Sequence, residues 1–123
     1  MTIVSYGTTV HWCLRAATQL KDEHDIEAEV IDLRSIVPLD METVINSVRK
    51  TSKVLVAHED KVFAGFGGEI ASQITEQCFD CLDGPVLRVG SEYTPVPFAK
   101  VLEREILPQV EDVVRRALEL VKY

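Results

Sequence analysis

Four short stretches of this 123-residue chain carry residue types that can do chemistry. Cys78-Phe79-Asp80-Cys81 has the spacing of a redox pair or of half a zinc site. His58-Glu59-Asp60, with His11 and His24 elsewhere, offers imidazole and carboxylate for proton transfer or metal ligation. Gly65-Phe66-Gly67-Gly68 is a glycine-dense turn, and Ser5-Tyr6-Gly7-Thr8-Thr9 sets hydroxyls around a glycine. Each stretch also has a plain structural use, and spacing decides between the two.

The cysteine pair falls at the end of a predicted helix. A redox CxxC needs its first thiol at a helix amino terminus, where the dipole favours thiolate; at the other end the dipole opposes it. A second CxxC that would complete a zinc site is absent. Packing or surface cysteines are the better reading. The histidines match no ligand pattern on a single element, and neighbours on an extended segment point to opposite sides. His58 and Glu59 therefore read as structural or interface residues, with Glu59 placed to cap amides of the glycine turn. That turn lacks the third glycine of a dinucleotide fingerprint and the G-K-[ST] of a phosphate loop. It reads as a close backbone approach that starts a helix. Hydroxyls at Thr8 and Thr9 faintly resemble a flavin phosphate loop but serve equally as helix caps. A phosphorelay receiver would need acids after its first strand, and Ser5-Tyr6 supplies none.

The elements that must position these residues alternate strand and helix. Thr2–Tyr6 is a β-rich run ended by Gly7. Val10, Cys13, Leu14 and Ala17 then predict one apolar helix face, leaving Trp12 with Ala16 and Leu20 on another stripe. An exposed Trp predicts a contact surface with another domain or subunit; its alternative is a ring lying flat under neighbouring loops. Lys21–Asp25 reads as a charged loop before a strand at 28–33. Asp40 caps the next helix, with Glu42 in its first turn, Leu39 stapled on Val44, and Met41, Val44, Ile45 and Val48 buried. Lys53–Ala57 is nearly all apolar, as a strand covered on both faces should be. Past the glycine turn, Ile70, Ile74 and Cys78 form a helical core stripe. Val86–Val89 is the fourth strand, and the two prolines of 91–97 dictate a loop before a short helical piece from Phe98 to about Glu103. Pro108 suits the first turn of a last helix whose apolar face is Val110, Val113, Val114, Ala117, Leu118 and Val121.

This alternation predicts an α/β fold of three layers, helices on both sides of a parallel sheet of four strands in the order 2-1-3-4. The His58-Glu59-Asp60 exit would lie at the carboxyl end of the central strand, where open sheets of this kind place ligands or partners. Length and a composition of 46% hydrophobic and 27% charged residues predict a single domain over 1–123. The net charge of −7 argues against nucleic acid as a partner. No apolar run reaches the roughly 20 residues that span a bilayer, and no secretory leader is recognisable, so the expectation is a cytosolic, non-membrane protein. Three cysteines predict no disulfide framework.

The chain also resembles a known family along nearly its whole length. T-I-V-S-Y-G-T-T-V-H at 2–11, E-V-I-D-L-R-S-I-V-P-L-D at 29–40, A-H-E at 57–59, G-F-G-G-E-I at 65–70, R-V-G at 88–90, T-P-V-P-F-A-K-V-L-E from 94 and I-L-P-Q-V ending at 110 are similar to the carboxyl-terminal, transketolase-type domain of the E1 β subunit of 2-oxoacid dehydrogenases, of the pyruvate or branched-chain type. E-Q-C-F-D-C-L-D-G-P at 76–85 is most similar to the branched-chain type. The resemblance implies an oxidoreductase component that uses thiamine diphosphate and Mg²⁺ to decarboxylate a 2-oxoacid and pass the acyl group to lipoyl-E2 in a multienzyme complex. It implies that cofactor, metal and catalytic residues belong to other domains, and that this domain is inactive alone. The family's extra antiparallel edge strand would precede this sequence. Implied partners are the E1 α subunit or domain, a second E1 β, and the peripheral subunit-binding domain of E2. The implied location is the cytoplasm, or the mitochondrial matrix in a eukaryote. Trp12, His58, Glu59, Phe66, Gly67, Gly68 and the terminal Tyr123 are the expected interface residues. The rival readings are the carboxyl domain of a transketolase or deoxyxylulose-phosphate synthase, or a flavodoxin-like binding module.

Overall fold

A computed structural model describes residues 1–123. The strands β1 (Thr2–Ser5), β2 (Glu29–Asp32), β3 (Val54–Lys61) and β4 (Leu87–Ser91) form one sheet in the order β2-β1-β3-β4. All three pairings are parallel, with Ile3 opposite Val30 on one side and Leu55 on the other. The predicted strand order and three-layer architecture hold. Strand alternation divides the buried residues between two cores. Ile3, Leu55, Ala57 and Val89 meet α1 (Thr9–His24) and α5 (Val110–Leu120), while Val4, Val54 and Val56 meet α2 (Met41–Thr51) and α3 (Phe66–Cys78).

Helix α2 forms as its sequence dictates. The Asp40 carboxylate accepts from the Thr43 N–H at 3.0 Å, and Val44, Ile45 and Val48 are buried. Its carboxyl end is tied to the sheet through polar contacts: Thr2 Oγ1 lies 2.7 Å from both Ser47 Oγ and Thr51 Oγ1, and Ser47 donates to Glu29. Lys50 pairs with the same Glu29 at 2.7 Å. In α3 the stripe Ile70, Ile74, Cys78 is fully buried, as its spacing predicts.

Elsewhere the structure departs from the sequence reading. Helix α1 buries Val10, Cys13, Ala16 and Leu20, whereas Leu14 is exposed and Ala17 only half-buried. It packs against α5 as well as the sheet, so the face it hides is the one that meets both, with Ala16 in the same core as Ala117. Thr8 stands at the cap in helical geometry and its hydroxyl caps nothing; the turn is closed by the Val10 and His11 amides on the Gly7 and Thr8 carbonyls. Residues 21–24 are helix, not loop. Asp25 in the left-handed region (φ 54°) ends it, and Lys21 reaches Asp25 and Glu27 at 3.0 and 3.1 Å.

β3 runs through His58-Glu59-Asp60 to Lys61, because β4 continues alongside it past an irregularity between Ala57 and Lys61. β4 correspondingly takes in Gly90 and Ser91. The short helix α4 spans Lys100–Ile106 rather than starting at Phe98. Pro108 lies ahead of α5, whose cap is Gln109: its N–H donates to Asp112 Oδ2 at 3.0 Å in a capping box. The helix ends at Leu120, which is buried while Val121 is exposed.

Candidate functional site

The carboxyl edge of the sheet gathers three of the four stretches singled out for chemistry, Ser5–Thr9, His58–Asp60 and Gly65–Gly68, and each is built by local sequence. Val54, Val56 and His58 alternate toward the α2/α3 face, so His58 extends the inward row of β3 and has no exposed surface. Its ring stacks on Tyr6, with centroids 6.0 Å apart and planes at 15°, and Tyr6 meets Phe66 edge-on at 6.2 Å. His58 Nδ1 lies 3.1 Å from the Asp60 carbonyl. A carbonyl only accepts, so Nδ1 carries the proton and Nε2 is a bare acceptor, buried and without a partner.

Gly67, in the first turn of α3, explains where that nitrogen sits. A Cβ on Gly67 would lie 2.0 Å from His58 Nε2, so the glycine is required by the imidazole packed against the helix start. Burial pushes the His58 pKa down, and the Arg88 charge adds to it against weaker opposing effects of Asp60. Arg88 itself donates to the Val62 carbonyl at 3.0 Å. The imidazole is held neutral, oriented and closed off from solvent. In this chain it packs at the head of α3.

The other candidates resolve similarly. Cys78 is buried at the end of α3, where burial and then the neighbouring Cys81 push its thiol pKa up; Cys81 donates to the Cys78 carbonyl at 3.2 Å. Burial raises the Cys13 thiol to about 11, against a smaller opposing effect of the Ser5 hydroxyl. Neither supplies thiolate near neutral pH. Glu59 is exposed and caps no amide of the glycine turn, whose Gly68 N–H bonds to the Gly65 carbonyl at 2.9 Å. No three His, Cys, Asp or Glu side chains converge to hold a metal ion. The glycine turn offers no cradle for a diphosphate either, since the imidazole already fills the space against Gly67.

Of the expected interface residues, His58 and Gly67 are buried within the domain. Burial of the inward β3 row is the reason. Glu59 and Tyr123 are exposed, and Trp12, Phe66 and Gly68 are half-buried. Tyr123 lines a groove of about 280 Å³ with Leu87, Arg116, Glu119 and Lys122. His11 and His24 stand apart on α1 and join no cluster.

Sequence reading missed a larger feature beside this edge. Between β4 and α5 the chain leaves the body and returns, the Glu92 N–H bonding the Ile106 carbonyl at 3.1 Å where the two ends meet. This excursion holds Tyr93, Val96, Phe98, Val101 and Leu102, all exposed, and α4 has no buried residue. Tyr93 packs edge-on to the equally exposed Phe63 from the turn after β3, at 4.8 Å. The signal was present in the composition: Tyr93, Val96, Phe98, Val101 and Leu102 put five large apolar side chains on one short connection between β4 and α5.

A family profile described as transketolase, C-terminal domain, matches residues 1–113. The pyruvate dehydrogenase E1 component subunit beta of Rickettsia felis is 41% identical over all 123 residues, which make up 37% of that protein. The mitochondrial pyruvate dehydrogenase E1 component subunit beta-1 of Arabidopsis thaliana is 45% identical over 115 residues, 94% of this chain and 31% of the relative. The chain thus spans about a third of the length of such relatives. A solved split-gene transketolase, in an inactive beta4 tetramer, superposes over 98% of this chain and 38% of its own with a TM-score of 0.77 at 30% identity. No helix is long and apolar enough to cross a membrane.

Proposed function

The chain belongs to the family of transketolase C-terminal domains, and from that premise we propose that it is the carboxyl-terminal domain of an E1 β subunit in a thiamine diphosphate-dependent 2-oxoacid dehydrogenase, serving subunit assembly and E2 docking. The observation that carries this reading is the pairing of similarity to E1 β subunits along the whole of this chain with a carboxyl edge whose one buried imidazole is packed against Gly67. The chemistry of the parent enzyme, oxidative decarboxylation and acyl transfer to lipoyl-E2, is assigned to other domains, as are thiamine diphosphate and Mg²⁺. The names of the relatives favour pyruvate as the 2-oxoacid over a branched-chain substrate. Partners in this reading are the E1 α chain, a second E1 β and the peripheral subunit-binding domain of E2. Location follows the host: cytoplasm in a bacterium, mitochondrial matrix where the relatives are mitochondrial.

Trp12, Glu59, Phe66, Gly68 and Tyr123 are proposed as contact residues, with His58 and Gly67 supporting them from within. The exposed terminal Tyr123, beside Arg116 and Lys122, is the proposed E2 contact. Net charge of −7 suits a basic partner, whose encounter would be steered and salt-sensitive. Calorimetric titration with the subunit-binding domain of E2 tests this: heat of binding that weakens with salt supports docking, and no heat at low salt contradicts it. Dye reduction dependent on a 2-oxoacid by this chain alone, with thiamine diphosphate and Mg²⁺ supplied, would contradict the non-catalytic assignment. The structural likeness to a transketolase keeps that enzyme's carboxyl domain as the alternative reading, but its 30% identity falls below the 41–45% of the E1 β subunits.

A further inference from the structure

We propose that Cys78 and Cys81 are an oxidation site, closing into an internal disulfide when a hydroperoxide reaches the pair. The proposal stands apart from the assembly reading and rests on the turn that ends α3. Cys78 is the last residue of that helix, and a single 3-10 turn, Phe79–Cys81, follows it. Three residues of such a turn advance the chain about 6 Å and bring side chains i and i+3 onto one side. That separation lies inside the roughly 4.4–6.8 Å between Cα atoms that a disulfide spans. The Cys81 side chain is turned back over Cys78, its Sγ lying 3.2 Å from the Cys78 carbonyl. The Cys81 thiol is also among the groups that push the Cys78 pKa up, as a close neighbour does. Both side chains adjoin the core of Val44, Val48, Ile70 and Ile74, whereas Cys13 is buried in the core on the other side of the sheet. Cys78 therefore has one cysteine within reach.

Access orders the steps. Cys78 has no exposed surface, while Cys81 is half-buried beside the exposed Phe79 and Asp80, so Cys81 meets the oxidant first. Its thiolate attacks one oxygen of the hydroperoxide; the O–O bond breaks, the other oxygen takes a proton and leaves as water or alcohol, and Cys81 becomes a sulfenic acid. The Cys78 sulfur then attacks the Cys81 sulfur. The S–O bond breaks, the Cys78 proton and the hydroxyl leave as water, and the S–S bond forms, with two electrons passed from the dithiol to the peroxide. The carboxyl end of α3 disfavours thiolate, so the closure is slow and the pair is no exchange catalyst. It gives up only the Cys81 hydrogen bond to the Cys78 carbonyl, from a weak donor. In return Cys81 stops at a reducible state instead of passing to sulfinic acid.

Hydrogen peroxide added to the 123-residue chain at neutral pH, followed by unfolding, alkylation of the remaining thiols and peptide mapping, is the test. The expected result is a peptide holding both Cys78 and Cys81, unalkylated and lighter by two hydrogen atoms, with Cys13 alkylated and both thiols restored by dithiothreitol. Cys81→Ser should abolish the link and leave Cys78 alkylatable, whereas Cys13→Ser should keep it; circular dichroism verifies that each variant retains its fold. Passage of Cys81 to sulfinic acid while Cys78 remains a free thiol overturns the proposal, as does a disulfide that joins two chains in place of the internal one.

Discussion

Two neighbouring exits of the same sheet are built in opposite ways. After β3, His58, Tyr6, Phe66 and the glycine turn interlock until the imidazole has no exposed surface. After β4, the chain carries Tyr93, Phe98, Val101 and Leu102 out to solvent on a segment whose helix buries nothing. The β3 exit holds the polar residues that suggest chemistry, and it uses them for packing. The β4 exit has the composition of an ordinary loop, and it leaves its large apolar side chains exposed. In this domain residue type alone does not tell which exit is closed and which is open.

Breaking the β3 exit should cost folding stability. Gly67→Ala drives a methyl into the imidazole, and overpacking at a site with no slack predicts a loss of about 3 kcal/mol in urea unfolding. A loss below about 0.5 kcal/mol would mean the imidazole can swing away. Next in size is the response to pH. The folded His58 has a lowered pKa, so the unfolded state binds its proton first and stability rises with pH. The contribution is complete above the unfolded value of about 6.5 and fades as pH falls through the folded value, with a slope of at most about 1.4 kcal/mol per pH unit. His58→Asn should flatten that segment of the profile, leaving the carboxylate-linked loss at lower pH in place.

The β4 exit predicts the reverse pattern. Phe98→Asp and Val101→Asp should leave the unfolding free energy of the monomer within about 0.5 kcal/mol of the parent, as exposed substitutions do. The comparison fails if either costs as much stability as Gly67→Ala.

Strand order, both cores and the capped α2 were legible because period-two and period-3.6 patterns coincide with what is buried. The errors share a physical origin in tertiary context. Leu14 and Ala16 exchange places because α1 meets α5 as well as the sheet. Lys21–His24 stay helical because ion pairs and the left-handed Asp25 carry the helix through a charged run. His58 was visible as the third member of the Val54-Val56 alternation, yet its polarity suggested an exit from the strand. The apolar side chains of Phe98, Val101 and Leu102 were visible in the sequence, but spacing alone does not reveal whether another element covers them.

Hydrogen–deuterium exchange tests the contrast most directly. The account predicts slow exchange at the His58 amide and through the first turn of α3, and fast exchange across 93–102. Fast exchange at His58 together with protection across 93–102 would contradict it.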